Sequence, residues 1–367
     1  MDSFNILRAA DRLEALFNHE QAIQELQKIP ATDSQFLATQ FRIAKLNRKK
    51  SVELDLSSTN WTVVWQNGLD GKGGKHGPGS IVRNIVESIR TKEFVDDSDD
   101  TIPHQHAYRY ISPYMIVVDH VINSIESINY YLTAARRGAK IILIHLADEN
   151  YTDLHCIYDA CELIYRNYWS EPLSKHTKIK HFPLGDFSSL EFPDIDYSRP
   201  AQNRSYLWNF VGDPNKQDRN EAINAFEGLT PRFVYTVDGF FDEKKLSPRA
   251  YREILADSIF TLAPRGWTNV DTFRFWEALE FGSIPIVVGN DARHYFNKFF
   301  LPEPETIPIF ENWSDARQWV TYATETPAHL ALVSNSVRSQ WKRLKSRVIS
   351  NFRADFSAVV EDLCNVR

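Results

Sequence analysis

Apolar positions along this chain follow two different periods. From about Ser3 to Lys50 they recur every three or four residues, in ILRAADRLEALFNHEQAIQELQKI and, after a break at Pro30, in DSQFLATQFRIAKLNRK. That spacing predicts two amphipathic helices joined as one hairpin. From Trp61 the pattern changes to short apolar runs that alternate with helix-period stretches. WTVVWQ is followed by the glycine-rich stretch NGLDGKGGKHGPGS and a helix over IVRNIVESIR. YMIVVD leads into HVINSIESINYYLTAARRG, and IILIHL into ADENYTDLHCIYDACELIYRNYW; one helix there would bring Cys156 near Cys161, and the plainer reading is two reduced buried thiols. KIKHFPLG closes this half near Gly185. A second series begins with YLWNFVG and DPNKQDRNEAINAFEGL, then RFVYTVDG, and ends in helical sequence from about Ser314. Strands alternating with helices predict parallel sheets built from βαβ units.

The hairpin resembles a single helical hairpin of the tetratricopeptide type without a second copy, so it is not a repeat array. A stretch rich in Pro, Asp and Ser separates the two α/β halves. The expected division is a helical hairpin over 1–50, a first Rossmann-like domain over 51–200, a second over 201–325, and helices over 326–367 that pack back on the first. Residues 1–50 are expected to serve as a docking or self-association element, or as a cap on the domain that follows.

Residues 259–288, IFTLAPRGWTNVDTFRFWEALEFGSIPIVV, carry the most chemistry. The run reads strand, loop, helix, strand, with a helix cap at Asp271 or Thr272 and a helix stop at Gly282. Glycine turns and helix starts present free backbone N–H groups, which suit phosphate. Arg265 and Arg274 add guanidinium donors beside Gly266. Glu277 shares a helix face with Arg274 and is placed to accept from ribose hydroxyls. Taken singly, each of these residues is equally an ordinary loop or surface residue; the weight lies in all four at this spacing.

YREILADSIFTLAPRG, FRFWEALEFG and IPIVV together resemble the donor-binding signature of the exostosin glycosyltransferases. The match spans about forty residues, from Tyr251 to Asn290, and departs from many animal members only in having Thr261 where they have cysteine. The resemblance implies two Rossmann-like parallel-sheet domains, the GT-B architecture, behind the N-terminal hairpin. It implies transfer of a sugar from a nucleotide-sugar, taken to be a UDP-sugar, to a glycan or glycoconjugate hydroxyl with inversion. No cofactor is expected beyond the substrate itself. The rival reading is a noncatalytic carbohydrate- or nucleotide-binding subunit of a glycan-assembly complex.

In open α/β sheets, ligands sit beyond the carboxyl ends of the strands. That rule adds Gly212 and Asp238 to the donor-binding set of Arg265, Gly266, Arg274 and Glu277. In the first half it selects Asp119, His120, Asp148 and Glu149 as candidates for the base that takes the acceptor proton. Asp119 and Asp148 also fit helix caps. The glycine-rich loop offers Gly71, Gly73, Gly74, Lys75 and His76 for close backbone approach to a ligand, with a surface loop as the plain alternative. These positions are expected to line one cleft between the domains.

Composition narrows the rest. A net charge of −6 does not suit nonspecific nucleic-acid binding. The chain is 13% aromatic, which suits carbohydrate stacking, although most rings are expected in the core. Three cysteines, Cys156, Cys161 and Cys364, lack metal or redox spacing. Asp97-Ser98-Asp99 and Asp194-Ile195-Asp196 resemble metal-binding triplets, but neither follows a buried strand, so no metal is expected. No apolar run reaches membrane-spanning length and no signal-peptide pattern is present. The expected location is the cytoplasm, or the Golgi lumen if the chain is a truncated piece.

Overall fold

The computed structural model describes residues 6–7, 9–10, 19–48, 61–66, 80–89, 92–95, 111–120, 122–153, 155–186, 194–239, 244–300 and 307–365. Contacts divide the chain into two units. The first comprises Met1–Gly71, Ile89–His181 and Arg353–Arg367; the second comprises Lys72–Ser88 and Phe182–Phe352. The break falls at Phe182 rather than near residue 201, and the helix Ser80–Glu87 groups with the second unit, where Ile81 lies against Gly185. The long helix Pro327–Asn365 belongs to the second unit up to Phe352 and to the first beyond it.

The first unit holds a six-stranded, all-parallel sheet. Its strands are β1 (Thr62–Trp65), β2 (Lys92–Val95), β3 (Tyr114–Asp119), β4 (Lys140–His145), β5 (Leu163–Arg166) and β6 (Ile179–His181). They lie in the order β2-β1-β3-β4-β5-β6. β3 is buried at every position, which is why YMIVVD reads as a continuous apolar run rather than an alternating one. The helix Ile125–Arg136 starts at Ser124 in a capping box with Ser127, so the cap is Ser124 and not Asp119.

One expected element differs. The stretch after β4 is not a helix: His155–Ala160 forms a short 3₁₀ turn and LIYR forms β5. All four residues of LIYR are buried, Ile164 and Tyr165 favour strand, and the sheet supplies partners on both sides of β5. Cys156 is partly buried and Cys161 buried, both as free thiols.

The hairpin helices His19–Leu26 and Phe36–Arg48 share a small core of Ala22, Ile23, Leu26 and Ile43. The second helix also enters the main core of the first unit, where Phe41 and Ala44 pack with Met115, Tyr131 and Leu143. The hairpin is therefore part of the packing of this unit.

The second unit holds a five-stranded parallel sheet of β7 (Tyr206–Gly212), β8 (Arg232–Thr236), β9 (Ser258–Leu262), β10 (Ile284–Val288) and β11 (Ile309–Phe310). Their order is β11-β10-β9-β7-β8. Read from its first strand, this sheet repeats the winding of the other: the second strand lies on one side of the first and the third on the other. The chain reverses direction across each sheet between β1 and β3, and between β7 and β9. The two sheets are the two Rossmann-like domains of the GT-B class. Beneath β9 and β10, Trp276, Phe275, Phe296 and Trp341 form an aromatic cluster, with Phe275 and Phe296 stacked at 4.0 Å. Most of the aromatic rings among the described residues are buried. No helix among the described residues is long and apolar enough to cross a membrane.

Phe41 is fully buried. Phe41→Ala should lower the stability of the chain by about 3–5 kcal/mol, measured by chemical unfolding. A change under about 0.5 kcal/mol would mean that the hairpin is a separate appendage.

Candidate functional site

The second unit brings several of the sequence-selected residues to the switch point between β7 and β9. Gly212 ends β7 with φ +141°, and a Cβ there would lie 2.5 Å from Arg274 Nη2. Glycine is needed because the Arg274 side chain lies across the strand end. Arg274 donates from Nε and Nη2 to the Val211 carbonyl, at 3.2 and 2.9 Å, and its guanidinium lies 4.8 Å from the centre of the Phe210 ring. The helix that carries Arg274, Phe273–Glu280, begins at Thr272, which makes no side-chain cap bond. The Thr272 hydroxyl is buried without a hydrogen-bond partner among the described residues. Asp271 turns inward instead and accepts from Trp276 Nε1 and the Tyr295 hydroxyl, which fixes the helix start against the core.

Glu277 lies one turn along the same helix and accepts from the Tyr251 hydroxyl at 3.0 Å. Burial, reinforced by the negative charge of Glu277, pushes the Tyr251 phenol well above its ordinary range. Tyr251 therefore stays neutral and donates. Arg265 follows β9 and pairs through its side chain with Asp291, after β10. The Gly266 N–H closes a turn onto the Asn269 carbonyl at 2.8 Å, so this amide serves the loop itself. Asp238 is exposed, two residues past the edge strand β8.

One residue that the sequence did not single out ties the two loops together. The Arg219 side chain is nearly buried; Nε donates to the Arg265 carbonyl at 3.2 Å and Nη1 to the Asp213 carbonyl at 2.8 Å. Nothing in the local pattern around Arg219 signals this, because β7 and β9 are neighbours in the sheet but not in the chain. Tyr251 was within reach of sequence reasoning, since it opens the YRE segment of the signature.

The base candidates of the first unit fall into two kinds. Asp119 ends β3 fully buried and accepts from the Tyr131 hydroxyl at 2.9 Å. Asp148 follows β4 and is saturated. Its Oδ1 accepts from the Thr152 and Asp153 amides at 2.9 and 3.3 Å; its Oδ2 accepts from His155 Nε2 at 2.8 Å and Arg166 Nη2 at 3.1 Å. Burial alone would raise its pKa, but the His155 hydrogen bond, the charges around it and the backbone donors hold it at about 2. Asp148 closes a turn and anchors Arg166; it caps no α-helix. His120 and Glu149 are half-buried at the ends of the same two strands.

Arg166 and Asp148 belong to a longer buried network. Arg166 Nη1 donates to the Tyr158 hydroxyl at 2.9 Å, that hydroxyl donates to His145 Nδ1 at 2.6 Å, and His145 Nε2 donates to Asp153 Oδ2 at 2.8 Å. Burial lowers the His145 pKa and keeps it neutral, with one nitrogen accepting and one donating. Donor atoms of His145, Asp148 and Asp153 all lie within 4.8 Å of one another, close enough to suggest a cation site. However, the Arg166 guanidinium already sits against Asp148 and would repel a second positive charge. Gly71, Gly73, Gly74, Lys75 and His76, and the Asp97–Asp99 triplet, lie outside the described residues. Asp194 of the second triplet pairs with Arg249, and Asp196 accepts from Ser198.

The family model for the Exostosin GT47 domain matches residues 118–317, from the end of β3 through β11. Ribitol-5-phosphate xylosyltransferase 1 of Mus musculus is 29% identical over 136 residues, covering 32% of this chain and 28% of that protein. The same-named protein of Homo sapiens is 25% identical over 174 residues, covering 40% and 37%. The match thus spans about a third of the length of these curated relatives. Among solved structures, an α1,3-fucosyltransferase superposes with a TM-score of 0.50 at 16% identity, covering 87% of this chain and 95% of that one. A mutant O-GlcNAc transferase of Thermobaculum terrenum gives 0.50 at 10% identity, covering 98% and 84%. At these identities the likeness is one of fold.

Asp148→Asn should leave Arg166 buried beside a neutral amide. The expected cost is about 3–5 kcal/mol of stability, with the turnover rate per folded molecule kept near the parental value. A paired measurement of melting temperature and rate checks this; a stable variant that has lost turnover would place Asp148 in the chemistry.

Proposed function

The chain belongs to the Exostosin GT47 family of glycosyltransferases, and from that membership we propose that it transfers a sugar from a nucleoside-diphosphate donor, a UDP-sugar, to a hydroxyl of a glycan or glycoconjugate with inversion. The observation that carries this reading is the set at the end of β7. Gly212 makes room for Arg274, and one turn further along the helix stands Glu277, oriented by Tyr251. In this reading Arg274 and Arg265 hold the diphosphate, with the Thr272 hydroxyl beside them, and Glu277 accepts from the ribose hydroxyls. Charged donors held at the leaving group stabilise the charge that grows there as the glycosidic bond breaks.

Inversion by direct displacement needs one base. As the acceptor oxygen bonds to the anomeric carbon, the bond to the diphosphate oxygen breaks with its electron pair. The acceptor proton passes to the base. Asp119 is buried and bonded to Tyr131, and Asp148 at a pKa of about 2 is too weak a base. His120 is our choice: it directly follows β3, beside the switch point of its sheet, and imidazole is the group most often used for proton transfer of this kind. Glu149 is the second. The transfer is proposed to need no metal, since guanidinium groups supply the positive charge at the strand ends.

Arg274→Ala should weaken binding of a nucleoside diphosphate roughly ten- to a hundredfold, as expected for losing a charge-assisted hydrogen bond. Turnover of the intact chain should persist in excess chelator. Unchanged affinity in Arg274→Ala, or loss of turnover on chelation that manganese restores, would sink the reading. Nucleotide binding with no transfer across a panel of acceptors would favour the noncatalytic subunit.

His120→Gln should keep the melting temperature and lose about 10²–10⁴ in single-turnover rate at saturating donor. If His120→Gln turns over normally and Glu149→Gln does not, the base is Glu149. If both turn over normally, it lies outside this pair.

A further inference from the structure

Nine tryptophans occur in the chain and all lie among the described residues. Trp267 alone is classed as exposed, at 59% of its surface. A lone exposed apolar side chain is ordinary. Trp267 differs because its position is built. The Trp267 carbonyl accepts from Gln217 Nε2 at 2.8 Å, and Gln217 itself stands in the left-handed region at φ +45°. Lys216 Nζ lies 4.7 Å from the centre of the indole ring. The Lys216 ammonium in turn lies 3.9 Å from an Asp213 carboxylate oxygen, with both side chains largely buried. Arg219 fixes the backbone on both sides, through the Asp213 and Arg265 carbonyls. An indole on the loop after β9 is thus held by the loop after β7, at the switch point where open α/β sheets take their ligands. A left-handed non-glycine residue is a local cost that persists only where its surroundings impose it.

We propose that Trp267 is the stacking platform for the base of the nucleoside diphosphate, and so a further binding residue of the donor site. This rests on the donor-binding reading above. In that reading the guanidinium groups take the phosphates and Glu277 takes the ribose. The base is the remaining part, and it needs a flat π-face. Among the described residues, Trp267 is the exposed aromatic ring at this edge of the sheet. Lys216 covers part of the ring and is itself held by Asp213, so the platform is rigid before the ligand arrives. Preorganisation of this kind lowers the ordering cost of binding.

The test compares the full chain with Trp267→Ala and Trp267→Phe by calorimetric titration. The probes are UDP, GDP and inorganic pyrophosphate. Trp267→Ala should keep its melting temperature and lose about ten- to a hundredfold in affinity for whichever nucleotide the parent binds better, the range expected of base–aromatic stacking. Its affinity for pyrophosphate should stay at the parental value, and Trp267→Phe should recover most of the nucleotide affinity. Unchanged nucleotide affinity in Trp267→Ala would overturn the platform, and so would an equal loss toward pyrophosphate. A parent that binds neither UDP nor GDP overturns the donor-site reading itself, and the platform with it.

Discussion

A parallel sheet buried on both faces can meet a ligand only at its ends. β3 and β4 are closed by packing along almost their whole length, and β9 is closed at every position. The polar residues of the second unit's site are accordingly crowded into the loops that follow β7, β9 and β10. Winding decides which of those ends is useful. Where successive connections leave in opposite directions, two neighbouring strand ends are left with a crevice between them. In the second unit those ends are Gly212 and the Pro264–Arg265 step, and Arg219, Arg265 and Arg274 are arranged around them.

The fold spends buried guanidinium groups to hold those loops. Arg219 joins the carbonyls after β7 and β9, and Arg166 joins the turn after β4 to the end of β5. Carbonyl groups at strand ends have lost their ladder partners and must find donors when buried. Arginine supplies several in one rigid fork. Arg274 shares this habit, but two of its N–H groups serve one carbonyl and its flat face rests on Phe210. With five N–H donors in all, it is both a tie and a charge set beside the strand end. Replacing Gly212 with any larger residue would push that charge away from the crevice.

Much of this was legible in the sequence. The strands β1, β3, β4, β9 and β10 each stood out as an apolar run, because burial on both faces leaves little room for polar residues; the less buried β6, β7 and β8 were read from their place between turn and helix signals. Gly282 showed itself as a helix stop, and it does adopt φ +87°. β5 did not show itself, since four residues within helix-like spacing carry no period of their own and take their conformation from the strands beside them. β2 and β11, short strands at the sheet edges, were hidden for the same reason. The positions of Gly212, Arg274 and Glu277 followed from pattern and resemblance. Of their partners, Tyr251 stood within the resembling segment, whereas Val211 and Phe210 meet Arg274 through packing between segments far apart in the chain.

The first unit shows why placement at a strand end is necessary for a catalytic carboxylate and does not suffice. Asp119 and Asp148 both stand where the carboxyl-end rule puts a base. Asp148, however, receives four hydrogen bonds, two from backbone amides and two from basic side chains, and each of them stabilises the ionised form. A carboxylate so well solvated by its own protein has little free energy to gain from a proton, which is what a pKa of about 2 states. The same bonds that make it a strong anchor for Arg166 make it a weak base. A group that takes a proton during the reaction must gain from binding it, and a carboxylate that already accepts from four donors gains little.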